Sequence, residues 1–216
     1  MAITDYSSLK QTVANYLHRD DLSSDGSGST TTPIEDAISL FEAEANRKLR
    51  VRQQMVTQAS SASTDGSFSL PTDYLAWESV TWSYSGIYKE LEYVDPSYIA
   101  ERYPDYPAST PEVFTIMGTT DSVGKVQLMP TSTSAVNFTY YQKITALSTD
   151  NTSNWLLSAH PDLYMAGAMT EACVYTKDYD TAAIWKGRRD TLFDEITNLD
   201  TKTRGPSYIR VPGYNP

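Results

Sequence analysis

The sequence predicts an α+β protein: a mainly α-helical bundle, made of N-terminal helices and a C-terminal helical hairpin, with an inserted antiparallel β sandwich or barrel and an extended C-terminal tail. Three observations predict it. Apolar residues recur three to four apart up to residue 52 and again over residues 154–200. Between Gln53 and Gln142 the period changes to two. The last residues combine prolines and tyrosines with no acid. The expected divisions are N-terminal helices over 1–52, a β insertion over 53–147, a hairpin completing the helical core over 148–202, and an arm over 203–216.

Ser7 is placed to cap a first helix with Leu9, Val13 and Leu17 on one face, ending near His18-Arg19-Asp20-Asp21. Residues 23–32 are Ser, Gly, Asp and Thr with nothing apolar to bury, and they read as a loop. Thr32-Pro33-Ile34-Glu35 then joins an N-cap, a first-turn proline and a glutamate placed to close a capping box. The helix it opens should bury Ile34, Ile38, Phe41, Ala45 and Leu49. It ends in Arg47, Lys48, Arg50 and Arg52, cations suited to the negative end of the helix dipole. A phosphate patch is the alternative use of that cluster, although neither interleaved aromatics nor a Gly-rich loop accompanies it.

Within the period-two region, Val80, Trp82 and Tyr84 alternate with polar residues, as do Leu91 with Tyr93 and Val136 with Phe138 and Tyr140. Phe68–Leu70, Phe114–Ile116 and Val126–Leu128 complete a set of about six strands, a number read from this alternation. Turns are expected at Ser85-Gly86, Asp121 to Gly124 and Pro130 to Ser134, and a short helix after Asp95-Pro96.

Pro161 opens the last helical stretch, with Met165, Met169 and Ala172 on one face. A break at Lys177-Asp178-Tyr179 leads to Asp180 as N-cap and a second stripe of Trp185, Leu192, Ile196 and Leu199, flanked by Lys186, Arg188, Arg189, Asp194 and Glu195. Such a hairpin packs antiparallel, with Ala166, Gly167 and Ala168 allowing close approach. Its stripes serve the protein's own core first and an assembly interface second. After Arg204-Gly205-Pro206 the tail carries Arg210 and apolar anchors at Tyr208, Ile209, Val211 and Tyr214. It reads either as a partner-binding arm or as a segment folded back on its own domain.

The balance of 17 basic and 27 acidic residues, net −10, argues against a surface that grips nucleic acid. Residues 61–150 hold 4 Lys/Arg against 11 Asp/Glu, so the middle region supplies most of the excess. Sixteen tyrosines and four tryptophans suit half-buried or protein-facing surfaces. The single Cys173 excludes a disulfide within the chain and a thiol metal cluster. No signal peptide or membrane span is read, so a soluble chain made in the cytoplasm is expected. His18 and His160 show no metal-ligand spacing, and no phosphate-binding or nucleophile motif occurs. Glu90 and Glu92, two apart, share a strand face but read as its solvent side. The expectation is therefore a non-enzymatic protein without cofactor or metal.

Several stretches together resemble the head-to-tail adaptor (connector) proteins of tailed bacteriophages. They are Ile38 to Arg52, Leu70-Pro-Thr-Asp-Tyr-Leu before a strand, Tyr140-Tyr141 in the last strand, Leu147 to Trp155, and Pro161-Asp-Leu-Tyr opening the long helix. The resemblance implies a structural virion protein at the neck, in a homo-oligomeric ring, usually a dodecamer, docked under the portal protein. The ring would line the DNA channel without sequence-specific binding, contact no membrane, and meet a downstream tail or nozzle protein. In such proteins the C-terminal segment reaches the portal, which assigns that contact to Arg204, Tyr208, Ile209, Arg210, Val211 and Tyr214. Arg47, Lys48, Arg50 and Arg52 are then expected to meet a neighbouring subunit or the channel, and the acidic balance to keep DNA from adhering. The rivals are a tail-tube or nozzle protein, richer in strand, and a cell-wall hydrolase, supported only by surface carboxylates and aromatics.

Overall fold

The computed structural model of the chain describes residues 3–23, 31–118 and 124–203. In chain order the helices are α1 (Tyr6–Leu17), α2 (Pro33–Lys48), α3 (Pro96–Arg102), α4 (Trp155–Ala159), α5 (Pro161–Tyr175) and α6 (Tyr179–Thr203). The strands are β1 (Met55–Ser61), β2 (Ser67–Ser69), β3 (Tyr74–Tyr84), β4 (Ile87–Glu90), β5 (Glu92–Tyr93), β6 (Val113–Met117), β7 (Lys125–Met129) and β8 (Ala135–Gln142). The fold is α+β. Its residues group into a helical unit, drawn from the chain up to Gln53 and from Ile144 onward, and a β unit, Gln54–Lys143. The serine- and glycine-rich residues 24–30 and the tail from Arg204, with Tyr208, Ile209, Arg210, Val211 and Tyr214, lie outside the described residues.

Local capping sets where the first helices begin. Asp5, not Ser7, caps α1: its carboxylate accepts the Ser8 N–H at 2.8 Å, and the Ser8 hydroxyl accepts the Asp5 N–H at 3.0 Å. That backbone bond is the main reason the Asp5 carboxyl is held below its usual range. Ser7 is an exposed residue inside the helix. The capping box at α2 forms as its spacing predicts, Glu35 N–H donating to Thr32 Oγ1 and Thr32 N–H to Glu35 Oε2. Lys10 of α1 bonds the same Glu35 at 2.8 Å, joining the two helix starts. Ile34, Ile38, Phe41, Ala45 and Leu49 are all completely or almost completely buried.

Helix α5 differs from the one-faced stripe expected of it. Every residue from Leu163 to Thr170 is buried, so α5 is the central helix of this core and is covered on all sides. Gly167 does permit a close approach, but to α2: a β-carbon there would overlap the ring of Phe41. The chain then reverses through a Schellman turn, with Asp178 N–H donating to Cys173 O (2.9 Å) and Lys177 N–H to Val174 O (3.1 Å). Lys177 takes the left-handed conformation, φ 62°, usually given to glycine. Asp178, rather than Asp180, then caps α6 by accepting the Thr181 N–H. The buried side of α6 is Ala182, Arg189, Phe193 and Ile196, with Trp185 and Leu192 partly covered. Leu199 is 60 % exposed, and Arg189, expected on the polar flank, is only 5 % exposed. Helix α6 continues through Thr203, one residue into the expected arm.

Among its described residues the β unit contains eight strands rather than about six, in two four-stranded sheets ordered β1-β8-β3-β4 and β2-β7-β6-β5. Neither sheet closes into a barrel. The second is mixed rather than purely antiparallel, because β5 runs parallel to β6. Val80 and Trp82 of β3 and Val136, Phe138 and Tyr140 of β8 share a core with Phe68, Phe114, Val126 and Leu128 of the other sheet. The alternation fades at the hairpin end, where Tyr84 is exposed. Ser85 and Gly86, φ 50° and 82°, form the two-residue turn between β3 and β4. The expected strand through Glu90 and Glu92 is divided: Leu91 N–H bonds Val80 O in one sheet, while Glu92 N–H bonds Glu112 O beside the other. The chain changes sheets at buried Leu91. Helix α3 starts as expected, with Asp95 accepting the Ser97 N–H at 2.9 Å.

Candidate functional site

A buried polar network fixes the segment that returns the chain to the helical unit. Glu42 of α2 accepts the Tyr164 hydroxyl and the Leu147 N–H, both at 2.9 Å. Asn154 donates from Nδ2 to the Tyr164 oxygen (2.6 Å) and to Thr145 O (2.8 Å), while its Oδ1 caps α4 at Leu157 N–H. Asn46 accepts the Ile144 N–H, and Thr152 O receives the Tyr6 N–H. Burial pushes the Glu42 carboxyl above its usual range, opposed by the Leu147 and Tyr164 bonds. Burial, and then the Glu42 charge, push the Tyr164 phenol well up. The stretch Leu147 to Trp155, quoted above for its resemblance, is thus a hydrogen-bonded clasp across α2, α4 and α5.

Beside it lies a seam of charge between α2 and α6. The buried guanidinium of Arg189 reaches Glu44 (2.8 Å), Glu171 of α5 (3.7 Å) and Asp190 (3.2 Å). Lys48 bridges Glu44 (2.8 Å) and Asp190 (3.3 Å), with its ammonium 4.9 Å from the Phe193 ring centroid. The Glu44 hydrogen bond, opposed by partial burial and assisted by Asp190, raises the Lys48 ammonium above its usual value. At Asp190 burial pushes upward, but Lys48 and Arg189 together outweigh it and hold the carboxyl low.

The four cations singled out in the sequence are placed unequally. Arg50 donates to the carbonyls of Asn46 in α2 and of Leu49, the residue that caps it, and satisfies that helix end. Arg52 contacts Asp200 of α6 through its backbone N–H (3.0 Å) and Nε (3.4 Å). Lys48 belongs to the seam. Arg47 is exposed and makes no salt bridge among the described residues. It lines a shallow cleft with Leu40, Val174 and Lys186. Sequence reasoning missed Arg189, because a cation in the charged run Lys-Gly-Arg-Arg-Asp looks like part of a solvated face. Its period with Ala182, Phe193 and Ile196 was the available signal.

Among the described residues no group of three or more His, Cys, Asp or Glu side chains is placed to hold a metal ion. Cys173 is buried, which pushes its thiol up. Glu92 is exposed at the short β5. No helix among the described residues is long and apolar enough to cross a membrane.

Among the described residues, the charge clusters and hydrogen bonds traced above hold the elements of the helical unit together. The chain matches the family model of the SU10 adaptor protein over residues 4–212, and it belongs to that family of bacteriophage adaptors. The family is one of structural rather than catalytic proteins. No curated protein matches the chain.

Proposed function

We propose that this protein forms the head-to-tail adaptor ring of a tailed bacteriophage, docked beneath the portal at the virion neck, joining capsid to tail around the DNA channel. The single observation that carries the reading is the family match over residues 4–212, which takes in both units and most of the tail. In this reading the helical unit is a bundle completed by the 148–202 hairpin. The two sheets of the β insertion form a sandwich offered to a downstream tail or nozzle protein.

The tail from residue 203 is the portal contact, through Arg204, Tyr208, Ile209, Arg210, Val211 and Tyr214. Its composition supports this: aromatic and β-branched anchors with arginines and no acid, on an otherwise acidic chain. Ring contacts between copies are head to tail, with two different faces of each copy complementary. Of the cations proposed for that contact or for the channel, Arg47 is the best placed, since Lys48, Arg50 and Arg52 have partners in their own chain. Net charge of −10 suits a channel that passes DNA without holding it.

The test is co-sedimentation with the portal ring of the same phage, comparing the full chain with one ending at Thr203. Binding by the full chain alone is expected. If the full chain binds no portal, the adaptor reading is wrong; if both bind, the tail is not the anchor.

A further inference from the structure

We infer that β1 is a strand-pairing edge, and that its occupant is β4 of a second copy of this chain, added head to tail so that the sheet β1-β8-β3-β4 continues from copy to copy.

A strand at a sheet edge exposes a row of unpaired N–H and C=O groups, and folded proteins normally blunt such edges. Two of the four edges here are blunted by their shortness. Strand β2 has three residues and β5 two, while β4 has four and ends in Lys89 and Glu90. Strand β1 is different. Its seven residues, Met-Val-Thr-Gln-Ala-Ser-Ser, include no charge and no proline. They pair with β8 in unbroken register from Met55↔Tyr141 to Ser61↔Ala135, without a bulge to twist the edge away. Thr57, Gln58 and Ala59 are exposed in succession, and among the described residues no backbone group of β1 has a partner outside β8.

Strand direction and apolar exposure select the occupant. All neighbours in this sheet are antiparallel, so β1 and β4, first and last of four, run in opposite directions. A second copy added by continuation sets its β4 antiparallel to β1, and the alternation is unbroken. The same step covers Ile87 and Tyr88, which are 63 % and 69 % exposed on β4. A two-fold β1 to β1 pairing would leave them in water and stop at a dimer. Only the head-to-tail form propagates and can close into a ring, and in this the inference rests on the ring reading above.

The experiment is cysteine cross-linking of the full chain. Ala59→Cys is combined in turn with Ile87→Cys, Tyr88→Cys and Lys89→Cys, under mild oxidation; native Cys173 is buried. All four positions are exposed, and circular dichroism of each variant verifies its fold. Expected is a disulfide ladder running past dimers in at least one double variant, with none from Ala59→Cys alone. The ladder should vanish when Gln58→Lys is added. Dimers from Ala59→Cys alone would replace the inference with two-fold pairing, and no cross-link in any folded variant would overturn it. Because the readout needs no portal, a chain that binds portal yet never cross-links refutes the pairing while the adaptor reading stands.

Discussion

Gly167 of α5 lies against the ring of Phe41 of α2, so closely that a β-carbon at 167 would come within 1.9 Å of the ring's Cδ2. Phe41 is fully buried and also meets Tyr164 edge-on at 5.1 Å between centroids, so the ring has little freedom to withdraw. Gly167→Ala gains up to about 1 kcal/mol of helix propensity. Overpacking costs about 1–3 kcal/mol, and the immobility of the ring places this site at the upper end. Urea unfolding should show net destabilisation, with a smaller loss when Gly167→Ala is made in a Phe41→Leu background. Equal losses in the two backgrounds would mean the contact is not tight.

Removing Arg189 should be severe for a residue outside any active site. Arg189→Met keeps much of the packing but takes the salt bridge from Glu171 and leaves Glu44 and Asp190 to share Lys48. Breaking a buried ion cluster costs about 3–5 kcal/mol, and the partial exposure of the carboxylates favours the lower end. A change below about 1 kcal/mol in denaturant midpoint analysis would show that water replaces the guanidinium without difficulty.

Glu42 should give the pH profile a component opposite to that of the capping carboxylates. Burial raises its pKa in the folded state, so there the native chain binds more protons than the unfolded one. Its contribution is present below the ordinary glutamate range near 4.5 and is lost as pH rises through the folded pKa. Glu35, held low by Lys10, behaves in the other sense and loses its contribution as pH falls. Glu42→Gln keeps an acceptor for Leu147 and Tyr164 but cannot ionise. The stability difference between variant and parent should therefore shift in the variant's favour as pH rises above the ordinary glutamate range, since every other carboxylate is common to both. A constant difference would remove Glu42 as its source.

Arg47 and Lys48 are adjacent and should separate cleanly. Arg47→Ala should leave stability within about 0.5 kcal/mol, as for an exposed side chain with no salt bridge among the described residues. It should still weaken self-association measured by analytical ultracentrifugation. Lys48→Ala forfeits two ion pairs and a ring contact and should lower stability by about 0.5–1 kcal/mol. Self-association indifferent to Arg47 would withdraw that residue from the contact between copies.

What could be read from the sequence follows from the range of the forces involved. The Thr32–Glu35 box and the Asp95-Pro96 start are complete within four residues, and both form as expected. Ser7 and Asp180 are good capping residues passed over for Asp5 and Asp178, each two positions earlier, because side-chain chemistry alone does not set a helix's first turn. Strand β1 was missed because its exposed middle carries no apolar alternation. The candidate site was half legible. Four cations stand out in the chain, yet the partners that occupy Lys48 and Arg52 lie on α6, 142 and 148 residues away in the case of Asp190 and Asp200. Propensity and period say nothing about pairings at that separation.

The division of the helical unit between the two ends of the chain also sets a timetable for synthesis. Glu42 and Phe41 find Tyr164 only after a further 122 residues have been added past position 42. At about 5–20 residues per second, α2 waits roughly 6–25 s on the ribosome with Ile34, Ile38 and Phe41 uncovered, while all of β1 to β8 can emerge and pair first. The nascent chain therefore offers an apolar helix to the cell's holdases while the β unit is already free to fold, which gives the β unit the lead in vectorial folding and leaves the helical core open until the last helix is made.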